Sequence, residues 1–275
     1  ETPKMDWLGA ILLSAAFLAA YLAINEIEKL AGANWWLIAI EIVVAAVLFV
    51  IFWHVENAQK NPMVTTTYLK ERRTWGLLLT TLLTMTGVFA VMNGIVPALA
   101  QDTSVGASMS ADTVSLATLT PYALVGLVFG PVAGVIASKM GYRSTLRGGL
   151  IVSAIAMVFG VFVCQSPHIW GLVVLSVVLG LSYAGTANIM LNGLGIVLSP
   201  EDNPGYLPGL NAGAFNLGAG LSYAILYGVQ QGFSDAHGAT MGYTGAMIAG
   251  IILLVLAFLS SLLIPKPAQN AAEEH

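Results

Sequence analysis

Charge is scarce in this chain. Only 9% of its 275 residues are Asp, Glu, Lys or Arg, against about 25% in a soluble domain. With 57% hydrophobic residues and a mean hydropathy of +0.82, a water-soluble fold is excluded, because a chain of this length could not hide so much apolar surface. Cysteine is limited to Cys164, which excludes an internal disulfide. The net charge of −4 offers nothing to nucleic acid. His54, His168, His237 and His275 lie at span ends, in loops or at the terminus, without the spacing of metal ligands. No Gly-Lys-Ser/Thr loop is present to cradle a phosphate, which argues against ATP drive, and "GLGIVLSP" is not a nucleophile elbow. Neither an enzyme, nor a metal site, nor a cofactor is expected.

What the chain has is long apolar runs. Crossing about 30 Å of hydrocarbon takes roughly 20 residues of helix. Eight runs are long enough, at 7–25, 35–53, 75–100, 112–138, 149–165, 169–192, 209–232 and 243–264. None alternates polar with apolar as barrel strands do, so each is predicted to be a helix of an all-α polytopic membrane protein. Asp6 stands where the basic residues of a leader would be expected, so the first run reads as a span rather than a signal peptide. The start at Glu1 points to excision or processing.

The basic residues give an orientation. With eight spans both termini share one side, and that side carries every Lys and Arg except Lys29. The positive-inside rule puts it in the cytoplasm, with the protein in the plasma membrane. Lys139, Arg143 and Arg147 crowd the connection after the fourth span, which is read as a cytoplasmic loop.

Within "GVIASKMGYR", Gly134, Lys139, Gly141 and Arg143 match the loop signature G-x-x-x-D-[RK]-x-G-[RK]-[RK], and Ser138 takes the place of its Asp. This resembles the major facilitator superfamily. There the loop joins the second and third helices of a six-helix half and holds the cytoplasmic face shut. "WWLIAIEIVVAAVLFVIFWHVE", "NPMVTTTYLKERRTWGLLL" and "PGYLPGLNAGAFNLGAGLSYAIL" look like helices seven to fourteen of its fourteen-helix drug:proton antiporter type. The resemblance implies two extra helices in 1–53, a cytoplasmic linker at 54–74, a six-helix half-bundle at 75–264 and a cytoplasmic tail at 265–275. It also implies a missing N-terminal six-helix half, with lipid, protons and a hydrophobic or amphiphilic substrate as partners. The bland spans 149–165 and 243–264 would sit at the lipid-facing rim. Ser138 cannot supply the signature's negative charge, but Arg143 could fork onto Glu201 or Asp202.

Intramembrane polar groups are the candidates for a substrate cavity, because an unpaired amide in lipid costs several kcal/mol, to order of magnitude. Met85, Phe89, Met92, Asn93 and Val96 form one helical stripe. Asn188 and Asn192 share a face four residues apart, beside Tyr183, and Asn211 and Asn216 lie on the Gly-rich penultimate helix. Met, aromatic and amide groups together suit bulky amphiphiles; the plain alternative is hydrogen bonding between helices. Gly126, Gly130 and Gly134 make a small-residue stripe, and Pro121 and Pro131 can bend the same helix. Glu41 is the one carboxylate well inside a run. It is a weak candidate for proton coupling, since it lies near the outer boundary on an extra helix. Two functions stay open: part of a proton-driven exporter, and a membrane assembly subunit that transports nothing.

Overall fold

Uninterrupted apolar sequence folds into helices in a bilayer because every backbone polar group has to be satisfied within the segment. The computed structural model describes residues 35–58 and 66–267 and, before them, seven helical residues between Ile11 and Leu22. The expected span 7–25 thus lies mostly outside the described residues, as do 59–65 of the linker and 268–275 of the tail. Helix α1 runs Trp35–Ala58, and a single helical turn, Thr66–Leu69, follows it. Six longer elements come next: α2 (Arg72–Gln101), α3 (Ala111–Met140), α4 (Tyr142–Gln165), α5 (Ile169–Val197), α6 (Tyr206–His237) and α7 (Ala239–Ser261). These six are long and apolar enough to cross a membrane, where eight spans are expected from the sequence; they correspond to its last six.

Several ends differ from expectation. The connection at 139–147 is not a loop. Gly141, at φ 87°, ends α3 and caps α4 at once. Arg143 and Arg147 therefore lie on the first turns of α4. A residue with a Cβ rarely tolerates that φ. Gly238, at φ 98°, turns α6 into α7 in the same way. In α3 the helix breaks at Thr118, with φ −120° and ψ −73°. Pro121 explains the break, because its ring clashes with the carbonyl four residues back and it has no N–H to donate.

Two helices change pitch midway. Val91–Ile95 of α2 and Gly180–Ala187 of α5 are π-helical, a wider turn that recurs at functional sites. Where α2 widens, the N–H of Ala90 is taken up by Ser222 Oγ of α6 at 2.8 Å.

Helix α2 is the hub, packed against α6 and α7; α7 also packs on α4, α4 on α5, and α5 on α3. Small residues allow the close approaches. A Cβ on Gly87 would lie 3.0 Å from the Gly250 carbonyl of α7. Buried hydroxyls tie neighbours together: Thr80 with Ser260 at 2.8 Å and Ser153 with Ser182 at 2.9 Å. The glycine stripe of α3 is used at one end only. Gly126 abuts Ala184 of α5, whereas nothing lies within 4 Å of a Cβ on Gly134. The expected rim helices α4 and α7 do present apolar residues outward, Ile155 and Phe162 on one and Ile252 and Leu259 on the other, and α3 is the most exposed of the six. Helix α7 is wedged between three others, and α3 presents Leu124, Leu127, Val128 and Val135 outward.

Candidate functional site

Met85, Phe89 and Asn93 follow one another at four-residue steps along α2 and share a face. Met85 and Phe89 are half-buried and Asn93, within the π turn, is exposed. The Asn93 amide donates from Nδ2 to the Phe89 carbonyl at 2.9 Å. Met92 is completely buried in the core, as is Val96. Adjacent helical residues point about 100° apart, so the stripe expected from sequence splits: Asn93 keeps the open side and Met92 packs behind it.

Helix α6 brings an aromatic wall to this face. The Tyr223 ring meets Phe89 edge-on with centroids 5.6 Å apart, and Tyr227 tilts against Tyr223 at 5.4 Å. Tyr227 sits directly on Gly94, where an added Cβ would come within 2.0 Å of its hydroxyl oxygen. Neither tyrosine is among the residues singled out from sequence. Their four-residue spacing on the Gly-rich helix was the available signal.

Helix α5 joins through Tyr183, a buried residue whose hydroxyl donates to Met85 Sδ at 2.8 Å. Farther along, Asn188 is half-buried and Asn192 exposed, and Asn192 Nδ2 donates to the Asn188 carbonyl at 2.8 Å. Asn216 is exposed on α6. Asn211 is not on an open surface. It is buried, its Oδ1 accepts from Thr81 Oγ1 at 2.6 Å, and its Nδ2 donates to the Leu191 carbonyl at 3.1 Å. With both ends of its amide engaged, Asn211 bolts α6 to α2 and α5.

At the end of the bundle where α4 begins, the signature residues act within this chain. Arg143 donates to the Ile264 carbonyl at 3.2 Å, and Arg147 to the Ser261 carbonyl at 3.1 Å and its hydroxyl at 3.3 Å. Both guanidinium groups thus cap the end of α7, where carbonyls lack intrahelical donors and cations are favoured. The expected pairing of Arg143 with Glu201 or Asp202 is not seen. Asp202 instead accepts from the Tyr68 hydroxyl at 2.8 Å, and that bond, with the carboxylate charge, raises the pKa of Tyr68. Arg73 lies over the Tyr68 ring and donates to the Leu198 carbonyl at 3.2 Å. The segment entering α2 is therefore held against the α5–α6 connection. Lys139 is exposed, and the Ser138 hydroxyl turns back to the Val135 carbonyl at 2.6 Å.

At the opposite end, Asp102 organises the α2–α3 connection. It accepts from the Val105 and Ser104 backbone, the Ser104 hydroxyl and Tyr243 of α7. The Val105 N–H, with these other donors, lowers its pKa to about 2. Glu41 lies on α1, and its Oε2 is buried with no hydrogen-bond partner among the described residues.

The family model described as Major Facilitator Superfamily matches residues 77–274. The chain is 54% identical over 270 residues to the uridine/deoxyuridine transporter of Lactococcus lactis subsp. cremoris, covering 96% of this chain and 56% of that protein. It is 26% identical over 221 residues to the methyl viologen resistance protein SmvA of Salmonella typhimurium, covering 79% of this chain and 42% of that protein. The chain spans about half the length of the curated relatives it matches.

Proposed function

The chain belongs to the Major Facilitator Superfamily, and on that premise we propose that it is the C-terminal part of a secondary transporter that moves a pyrimidine nucleoside. The observation that carries the reading is 54% identity along 96% of the chain to a uridine/deoxyuridine transporter. The chemistry of the α2 face agrees with it. A nucleoside has a flat ring with a hydrogen-bonding edge, and it asks for aromatic contact together with a few placed amides. Phe89, Tyr223 and Asn93 offer that combination on adjoining helices. The cavity role of Met85, Phe89, Asn93, Tyr183, Asn188, Asn192 and Asn216 is part of this proposal. So are the layout of a two-helix unit, a linker and a six-helix bundle, a plasma-membrane location with cytoplasmic termini, and coupling to protons.

Export, of hydrophobic or amphiphilic compounds or of an aromatic cation such as methyl viologen, is the second reading. The Salmonella methyl viologen resistance protein favours it, at 26% identity. A carrier also needs a second wall, since alternating access rocks one repeat against another around the site. The six-helix bundle would then work with an N-terminal half. The experiment is uptake of labelled uridine by cells that lack other nucleoside carriers and express the full-length protein. Saturable uridine movement, competed by deoxyuridine, is expected. Methyl viologen efflux without any uridine movement would replace the nucleoside reading by the export reading, and movement of neither would leave an assembly role.

A further inference from the structure

We infer that Asn93 reads the base of the substrate by accepting a hydrogen bond from a ring N–H, and so selects uracil-type bases over those with no proton at that position. The inference rests on the nucleoside reading above and deepens it. It starts from the orientation of one side-chain amide. The two ends of a carboxamide have opposite hydrogen-bonding sense, and a free amide can turn over to suit either kind of partner. Asn93 cannot do so at no cost. Its neighbour is the Phe89 carbonyl, at 2.9 Å. A carbonyl only accepts, so the nitrogen must face it and Oδ1 must face away.

Asn93 is exposed, on the open side of α2. Phe89 lies one turn away on the same face of α2, and its edge contact with Tyr223 joins it to the aromatic wall of α6. Tyr227 against Gly94 brings that wall close to the π turn carrying Asn93. Counted at 1.5 Å per residue, Asn93 lies about 12 Å in from the Gln101 end of α2, close to the middle of a layer about 30 Å thick. An acceptor at that depth, beside aromatic rings, is complementary to a flat heterocycle with an N–H on its edge.

Uracil has such an edge, with a proton on N3 between two carbonyls. The second N–H of Asn93 Nδ2 can donate to one of those carbonyls while Oδ1 accepts from N3. Cytosine presents a bare acceptor at N3 and an amino donor beside it. Held in uracil's position it would meet Oδ1 with a lone pair; to pair with the anchored amide it would have to slide along its edge, bringing its amino group to Oδ1 and N3 to Nδ2, and leave the place where uracil lies against the aromatic wall. The anchor therefore converts an ambiguous residue into a directional one.

The test uses the full-length transporter and measures uptake of labelled uridine in competition with deoxyuridine, cytidine and 3-methyluridine, in which a methyl group replaces the critical proton. In the parent protein 3-methyluridine and cytidine should compete at least about tenfold more weakly than uridine, the effect of one buried hydrogen bond lost or opposed. Asn93→Ala should raise KM for uridine about tenfold, with little change in kcat at matched abundance, and should remove the discrimination against 3-methyluridine. Since Asn93 is exposed, the variant should keep its thermal stability. Phe89→Leu is the contrasting variant: it should weaken uridine and 3-methyluridine alike. If Asn93→Ala keeps the parent KM and still rejects 3-methyluridine, the inference is overturned while nucleoside transport stands. If the parent moves no uridine at all, both readings fall.

Discussion

Arg147 of α4 grips Ser261 of α7 twice, through the carbonyl at 3.1 Å and the hydroxyl at 3.3 Å. This closes the bundle by joining its third helix to the end of its sixth. Hydrogen bonds to a charged group contribute about 1.5–3 kcal/mol. Arg147→Ala should therefore lower the thermal midpoint of the purified protein. Arg147→Lys should recover only part of the loss, since it keeps the charge but not the planar fork. An unchanged midpoint in Arg147→Ala would show that the pair contributes nothing to stability.

Asn211 should behave as a structural residue. Asn211→Ala leaves the Leu191 carbonyl without its side-chain donor and the buried Thr81 hydroxyl without its acceptor. A loss of about 1–3 kcal/mol follows, visible as lower abundance and a lower thermal midpoint. The substrate KM of the surviving protein should equal that of the parent. A raised KM at normal stability would put Asn211 on the substrate face instead.

Gly94 and Tyr227 should be coupled. A Cβ on Gly94 would stand 2.0 Å from the Tyr227 hydroxyl oxygen and 2.7 Å from its ring carbon Cζ, so Gly94→Ala should impair transport. Tyr227→Phe removes the hydroxyl and leaves the ring, and the double variant should recover part of the activity. A double-mutant cycle measures this directly. Strictly additive effects would mean that the two side chains do not meet in the working protein.

The α2–α3 connection should loosen in acid. The carboxyl pKa of Asp102 is lowered from 3.8 to about 2 by the Val105 N–H and its other donors. The ionised form therefore stabilises the folded connection fully above the ordinary value, and this contribution is lost as pH falls through about 2. Proteolytic cleavage within 102–109 should speed up between about pH 4 and 2 with an acid-active protease. Asp102→Asn should be cleaved faster at pH 6 and show no further rise across that window. A parent protein with a flat profile would count against this role.

Much of the architecture could be read from the residues. Seven of the expected runs, 35–53 and the last six, are helices among the described residues. Gly141 was recognisable as part of a motif. That it forms the entire turn was not, since charged residues on the first turns of a helix have the same composition as a loop. The π turns escaped because hydrophobic periodicity over so few residues does not separate a step of four from a step of five. Met92 and Asn93 fall in one expected stripe, yet as neighbours in a helix they face about 100° apart. Asn211 and Asn216 lie on one helix with the same chemistry, and only packing distinguishes the bolt from the exposed amide. Tyr223 and Tyr227 were hidden by their neighbours, a run of Gly, Ala and Leu that reads as ordinary close packing.

The single-residue turns have a mechanical consequence. One extended residue covers at most about 3.6 Å, so Gly141 leaves almost no slack between α3 and α4. Just past that glycine, Arg143 and Arg147 reach the end of α7. Gly238 makes an equally short joint at the other end of the bundle, between α6 and the start of that same α7. Helix α7 is thus tied at one tip to α3, by way of α4, and at the other to α6. In a moving transporter it would serve as a connecting rod, obliging α3 and the aromatic wall of α6 to shift in step.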